Sequence, residues 1–141
     1  MESGTATSQL DLALSERFQR LQEPLGFSSF GLNLMHLAPG QRGRVHRHKN
    51  QEEVYVVLEG ELTIELEAGE LLELGRGGLA RVAPDVRRQL SNRGAEPARF
   101  LSMGGGGGAH ESRDGEAFES WESTEGRSPQ DVPLPEDLPN G

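Results

Sequence analysis

Between Phe27 and Met103 the chain alternates short apolar runs with turn signals. The runs are FGLNLMHLAPGQ, VHRHKN, EEVYVVLEGE, LTIELEAGE, LLELGRGG, LARVAPD, VRRQLSNRG and EPARFLSM. Pro-Gly, Glu-Gly, Ala-Gly, Gly-Gly, Pro-Asp and Arg-Gly steps punctuate them, and Val, Ile, Thr, Tyr and Phe are common inside them. Short strands at a spacing of about 8–12 residues predict an antiparallel sandwich or barrel. The glutamates at 59, 61, 65, 67, 70 and 73 read as the wet face of a hairpin. Before this region the period changes. Leu10, Ala13, Leu14, Phe18 and Leu21 fall on one helical face, with Ser8 as an N-cap, Asp11 as its partner, and Pro24 and Gly26 as the stop. The pattern predicts a short N-terminal helix on the outside of the domain or against a second subunit.

After Met103 the pattern dissolves. Five glycines (Gly104–Gly108) lead into a segment rich in Gly, Pro, Ser and Glu, which reads as largely disordered. Phe118 and Trp121, the only tryptophan, offer one exception, either docked on the barrel as a helical turn or solvated with the rest. The chain divides into an N-terminal tail and helix (1–26), a β-domain (27–103) and an acidic tail (104–141).

Composition narrows the chemistry. The 141 residues suffice for one modest core. There is no cysteine, which removes disulfides, zinc fingers and thiol nucleophiles and suits a reducing compartment. The first 18 residues hold no basic start and no unbroken apolar run, so a cytoplasmic protein with no membrane span is expected. The net charge of −9 is uneven. Up to Met103 there are 14 acids and 12 bases, whereas the remainder carries 9 acids against Arg113 and Arg127. Such a chain repels phosphate backbones, so no nucleic-acid partner is expected.

The chemistry concentrates between Gly40 and Gly60. His46 and His48 are two apart, so in a strand both imidazoles share a face about 6.6 Å apart along the backbone. Glu53 follows a tight turn at the start of the next strand and faces the same space. Two imidazoles and a carboxylate form a divalent transition-metal site that suits Fe, Mn, Zn, Ni or Co, unless the histidines merely line a polar pocket.

The spacing of Gly40, His46, His48, Glu53 and Gly60 matches the first motif of the cupins at every defining position, and the chain resembles that family over roughly residues 30 to 103. The second motif starts as expected with Gly78 and Pro84 and then departs. Val86 stands for a glycine, Gln89 for the third metal-binding histidine, and Asn92 falls one residue early. The resemblance implies an all-β jelly-roll barrel, one metal ion on His46, His48 and Glu53, a small-molecule ligand or substrate, and a homodimer. Gln89 would then be a fourth ligand through its amide oxygen, or would hold a metal-bound water. The firm ligands reduce to two histidines and one carboxylate, which leaves coordination positions open.

Strand parity adds weaker candidates. Arg44 shares a face with the histidines, and Arg87 and Ser91 share one with Gln89. An inward arginine would hold a carboxylate or phosphate; the alternative places both at strand ends in solvent. Tyr55 shares the face of Glu53 and is either a substrate contact and proton donor or a wall residue. His36 reads as structural, His110 as solvated, and the sole lysine, Lys49, as a poor Schiff-base candidate. Gly104–Gly108 lacks the lysine and hydroxyl of a phosphate loop. Three functions follow. One is a metal-dependent enzyme, such as the dioxygenases, isomerases and decarboxylases of similar cupins. The second is a non-catalytic module, such as a sensor, carrier or storage domain, and the third is a structural dimer whose pocket no longer does chemistry.

Overall fold

A computed structural model describes residues 4–106 and 114–139. Each apolar run of the central region forms a strand. These are β2 (Gly31–Leu37), β3 (Val45–His48), β4 (Glu52–Glu59), β5 (Leu62–Leu66), β6 (Leu71–Leu74), β7 (Leu79–Val82), β8 (Arg88–Ser91) and β9 (Ala98–Gly105). A strand precedes them, β1 (Phe18–Arg20), and another follows, β10 (Gly115–Phe118). They make two antiparallel sheets in the orders β1-β2-β9-β4-β7 and β10-β3-β8-β5-β6. The sheets face each other as a jelly roll, and alternate residues fill the space between them. That core contains Leu37, Tyr55, Val57, Leu62, Ile64, Val82, Leu90 and Phe100.

Two motif glycines are needed for backbone reasons. Gly40 and Gly60 have φ of 85° and 75°. A Cβ on Gly60 would lie 2.2 Å from the Pro97 carbonyl oxygen, so no larger residue fits the turn between β4 and β5.

The N-terminal segment corrects an expectation. Residues 8–21 form no helix; Phe18–Arg20 is the strand β1, paired with β2 through Phe18 and Met35, and the helical turn of this segment is α1 (Gln22–Leu25). Its stop is as expected, at Gly26 with φ 74°. The apolar residues still find the outer face of the first sheet. Leu14 and Leu21 are buried there with Leu34, and Leu10 packs against them. An extended chain reaches the same apolar patch while also pairing the open edge of β2, which an isolated short helix cannot do.

The acidic segment contributes β10, which pairs with β3. Of the two alternatives for Phe118 and Trp121, the structure shows docking, with Phe118 in a strand and 1% exposed. The chain then returns along the barrel. Arg44 donates to the Val132 carbonyl, Arg42 to the Glu136 carbonyl, and the Leu138 N–H to the Gly40 carbonyl. Among the described residues no helix is long and apolar enough to cross a membrane.

Candidate metal centre

β3 presents His46 and His48 to the inside of the barrel, and β4 presents Glu53 and Tyr55. The two strands lie in opposite sheets, so the turn between them folds the imidazoles over the carboxylate. One ligand atom each from His46, His48 and Glu53 lies within 4.8 Å of the others. His48 Nε2 is 3.2 Å from Glu53 Oε2, and His46 Nε2 is 3.7 Å from Oε1. The imidazoles stand edge to face with centroids 5.5 Å apart. His46 Nδ1 is 3.2 Å from the Arg44 carbonyl. A carbonyl only accepts, so Nδ1 carries a proton, and Nε2 is the nitrogen left for an ion.

The second strand of the motif contains the larger surprise. His46 pairs directly with Arg88 across β3 and β8, which puts the Arg88 side chain on the site face. Arg88 is fully buried, and its Nη2 donates to Glu53 Oε1 at 3.2 Å, its Nε to the Tyr55 hydroxyl at 3.3 Å, and its Nη1 to the Val86 carbonyl at 2.7 Å. The Tyr55 hydroxyl also donates to Glu53 Oε1. Gln89, one residue on, points to the outer face. Its amide donates to the Gly43 carbonyl at 3.0 Å, and its oxygen accepts from Trp121 Nε1 at 3.3 Å. The structure therefore brings Arg88, not Gln89, to the site.

The reason is a one-residue offset. Asp85 has φ 67°, the only positive φ among the described non-glycine residues. It adopts the left-handed conformation that glycine supplies most easily and that aspartate tolerates. Counted from Asp85 instead of Val86, Arg88 takes the position of the third histidine and Asn92 falls in register. Asn92 is wholly buried and donates to the Leu37 and Glu96 carbonyls at 2.9 and 2.8 Å, which pins the connection from β8 to β9.

The same offset turns Arg87 away, whereas Arg44 is held by a partner of its own. Arg87 stacks on Phe118 at 3.6 Å and donates to the Ser123 carbonyl, and Arg44 is engaged by Val132. Both hold the C-terminal segment and neither reaches the site. Tyr55 does reach it, as a fixed donor to Glu53. Ser91 pairs with Arg42 and Thr63. His36, 6% exposed, contacts the Glu16 carbonyl through Nδ1 and is structural. His110 lies outside the described residues.

Electrostatics keep the centre anionic at Glu53. Burial alone would raise its carboxyl, but hydrogen bonds and charge from His46 and His48 outweigh it and hold it well below the usual carboxylate range. Burial and the neighbouring Glu53 push the Tyr55 hydroxyl well up, so it stays a donor. Burial opposes the charge on Arg88, yet Tyr55 and Glu53 more than offset it, and the guanidinium remains charged. The donor set fits a divalent ion held by two imidazole Nε2 atoms and by Glu53 Oε2, with Oε1 already occupied by Tyr55 and Arg88. A cavity of about 820 Å³ opens beside it, lined by His48, Glu53, Gln51, Asn33, Ser102 and Arg20 among others. Gly104 on β9 stands opposite Glu53 and leaves that volume free.

Comparison with known proteins places this architecture. The cupin domain family model matches residues 33–104. A cupin protein from Bacteroides fragilis is 27% identical with a TM-score of 0.66, over 79% of this chain and 92% of that one. A sugar phosphate isomerase of the cupin superfamily from Silicibacter pomeroyi is 27% identical with a TM-score of 0.63, over 84% and 79%. The cupin domain of an XRE family transcriptional regulator from Enterobacter cloacae is 26% identical with a TM-score of 0.56, over 62% and 93%. A search of curated proteins found no match. With its two facing sheets, its family match and its clustered His46, His48 and Glu53, the chain belongs to the cupin family.

Proposed function

We propose that this protein holds one divalent transition-metal ion (Fe, Mn, Zn or Ni) on His46, His48 and Glu53, and binds a small polar molecule in the adjoining cavity. The observation that carries the reading is the convergence of the three donor atoms beside that cavity, whose wall includes His48 and Glu53. A bound ion would supply Lewis acidity toward a carbonyl, hydroxyl or water. The protein's own residues set the stage. His46 offers Nε2 because its Nδ1–H donates to the Arg44 carbonyl. Tyr55 and Arg88 fix Glu53 through Oε1, leaving Oε2 for the ion. Arg20, exposed at the cavity, attracts an anionic group, and Asn33 and Ser102 supply neutral hydrogen bonds. The isomerase of a sugar phosphate among the similar structures makes that substrate class one worth testing.

A non-catalytic ligand-binding module is favoured by one specific observation. A fixed cation, Arg88, stands where the fourth protein ligand would be, and Tyr55 is committed to Glu53 instead of facing substrate. The reading includes a homodimer and a cytoplasmic location. Leu79, 66% exposed on the edge strand β7, and Leu71, 40% exposed on the edge strand β6, offer apolar edges to a second copy. The lack of cysteine suits a reducing compartment.

The test is the visible spectrum of the cobalt-loaded protein during titration with sugar phosphates and small carboxylates. A saturable change with one of them, absent from a His46→Ala, His48→Ala variant, supports the reading. A spectrum unaltered by every ligand up to millimolar concentrations contradicts small-molecule binding at the centre. Turnover of the ligand, or its absence, separates enzyme from module.

A further inference from the structure

Asp114 reaches the centre from outside the family-matching stretch, which ends at residue 104. It is 4% exposed. Its carboxylate accepts the Asn50 backbone N–H at 3.1 and 3.0 Å, the Asn50 side-chain amide at 3.1 Å and the Gln51 backbone N–H at 3.0 Å. Its own carbonyl accepts the Lys49 N–H at 3.2 Å. Residues 49–51 are the turn between His48 and Glu53, so one residue ties down the link between two of the three clustered donors.

The same carboxylate lies 3.8 Å from His48 Nδ1. That nitrogen is buried and has no hydrogen-bond partner. The next residue, Gly115, pairs with His48 across β10 and β3, and a Cβ there would sit 3.6 Å from the ring's Cε1. Asp114 and Gly115 therefore hem the imidazole on the side away from Glu53. Without an ion, acceptors flank both ring nitrogens, because Glu53 Oε2 lies 3.2 Å from Nε2. An ion on Nε2 leaves the ring proton on Nδ1, where the Asp114 carboxylate faces it.

We propose that Asp114 is a positioning residue for the metal centre, fixing the turn that sets His48 against Glu53 and facing the Nδ1–H that His48 keeps when its Nε2 holds the ion. This rests on the metal-binding reading above. It also makes the C-terminal segment a working part of the site, because β10 delivers Asp114 and is itself held by the Ala117–Arg127 pairing and by Arg47 on Glu116.

The experiment compares the full-length protein with Asp114→Asn and Asn50→Ala, each checked for folding by circular dichroism. Asp114→Asn keeps an oxygen for the backbone N–H groups but loses the carboxylate. Asn50→Ala loosens the turn and leaves His48 alone. Proton-detected nitrogen-15 NMR of the zinc-loaded protein reads the His48 Nδ1–H, and zinc titration calorimetry reads affinity. The expected result is a downfield His48 Nδ1–H in the wild type and in Asn50→Ala, an upfield shift of that signal in Asp114→Asn, and zinc affinity weakened about 10–100-fold in Asp114→Asn. An unchanged signal and unchanged affinity in Asp114→Asn overturn the proposal. Zinc on His48 Nδ1 in the wild type overturns it with no variant needed. A wild type that binds no zinc overturns the metal reading, and urea unfolding of Asp114→Asn equal to that of the wild type then overturns the tie to the turn as well.

Discussion

Replacing Arg88 with methionine isolates the charge at the heart of the site. Methionine keeps an unbranched apolar stem and removes the guanidinium, so the main loss is electrostatic. Three bonds disappear, to Glu53, Tyr55 and the Val86 carbonyl. The Glu53 side chain is only 12% exposed and would keep its negative charge with the histidines and Tyr55 as remaining partners. Breaking a buried ion pair by removing one partner costs about 3–5 kcal/mol. Because the two histidines still face Glu53, the lower end applies, about 3 kcal/mol. For a chain of this size that is a fall of roughly 10 °C in Tm. The sign of the metal response is the sharper check. Arg88 is a cation beside the proposed ligand, so its removal leaves an uncompensated carboxylate that a divalent ion neutralises. Thermal melts with chelator and with zinc should show a larger zinc-induced rise in Arg88→Met than in the wild type. A fall in Tm below about 3 °C in chelator, or a smaller zinc response in the variant, would refute the role given to Arg88.

Three further outcomes follow. Arg88→His should tighten zinc binding about tenfold or more, while Gln89→His should leave it unchanged because that position faces Trp121; calorimetry on both variants decides. Gly60→Ala should destabilise by more than about 2 kcal/mol in urea unfolding, since it adds a clash to a left-handed backbone, whereas Gly69→Ala, with φ 84° and open space around it, should cost about 1 kcal/mol. Burial would raise the Asp114 carboxyl, but bonds from Asn50 and Gln51 together with His48 outweigh it and hold it below its usual value. A depressed carboxyl stabilises above the unfolded value of about 3.9 and loses that contribution as pH falls through the lower folded value. The stability gap between wild type and Asp114→Asn, measured by urea unfolding, should therefore be constant above about pH 5 and shrink below about pH 4.

The central strands were legible because their pattern was locally consistent, with β-branched and aromatic runs bounded by turn residues. The first motif was legible for the same reason: His46, His48 and Glu53 needed only strand parity and one turn to meet. Two features were not. Residues 10–21 have a helical period, yet the open edge of β2 and the apolar patch around Leu34 draw them into an extended path, an override that no local pattern announces. In the second motif the spacing puts the glycine position at Val86, whereas the left-handed backbone is carried by Asp85. That slip of one residue exchanges the two faces of β8, so parity alone turns Gln89 inward and hides Arg88. A gap of one residue at Asn92 was the available signal. β10 was hidden because Gly115–Phe118 is too short and too polar to read as a strand, and Asp114 acts only through contacts 63–66 residues away in sequence.

The central claim is that His46, His48 and Glu53 together hold one divalent ion. It is tested most directly by elemental analysis of untagged protein after dialysis against a limiting mixture of divalent ions, alongside a His46→Ala, His48→Ala variant of equal fold. The account predicts about one ion per chain in the wild type and none in the variant. An ion content that is the same in both proteins, or absent from both, would contradict it.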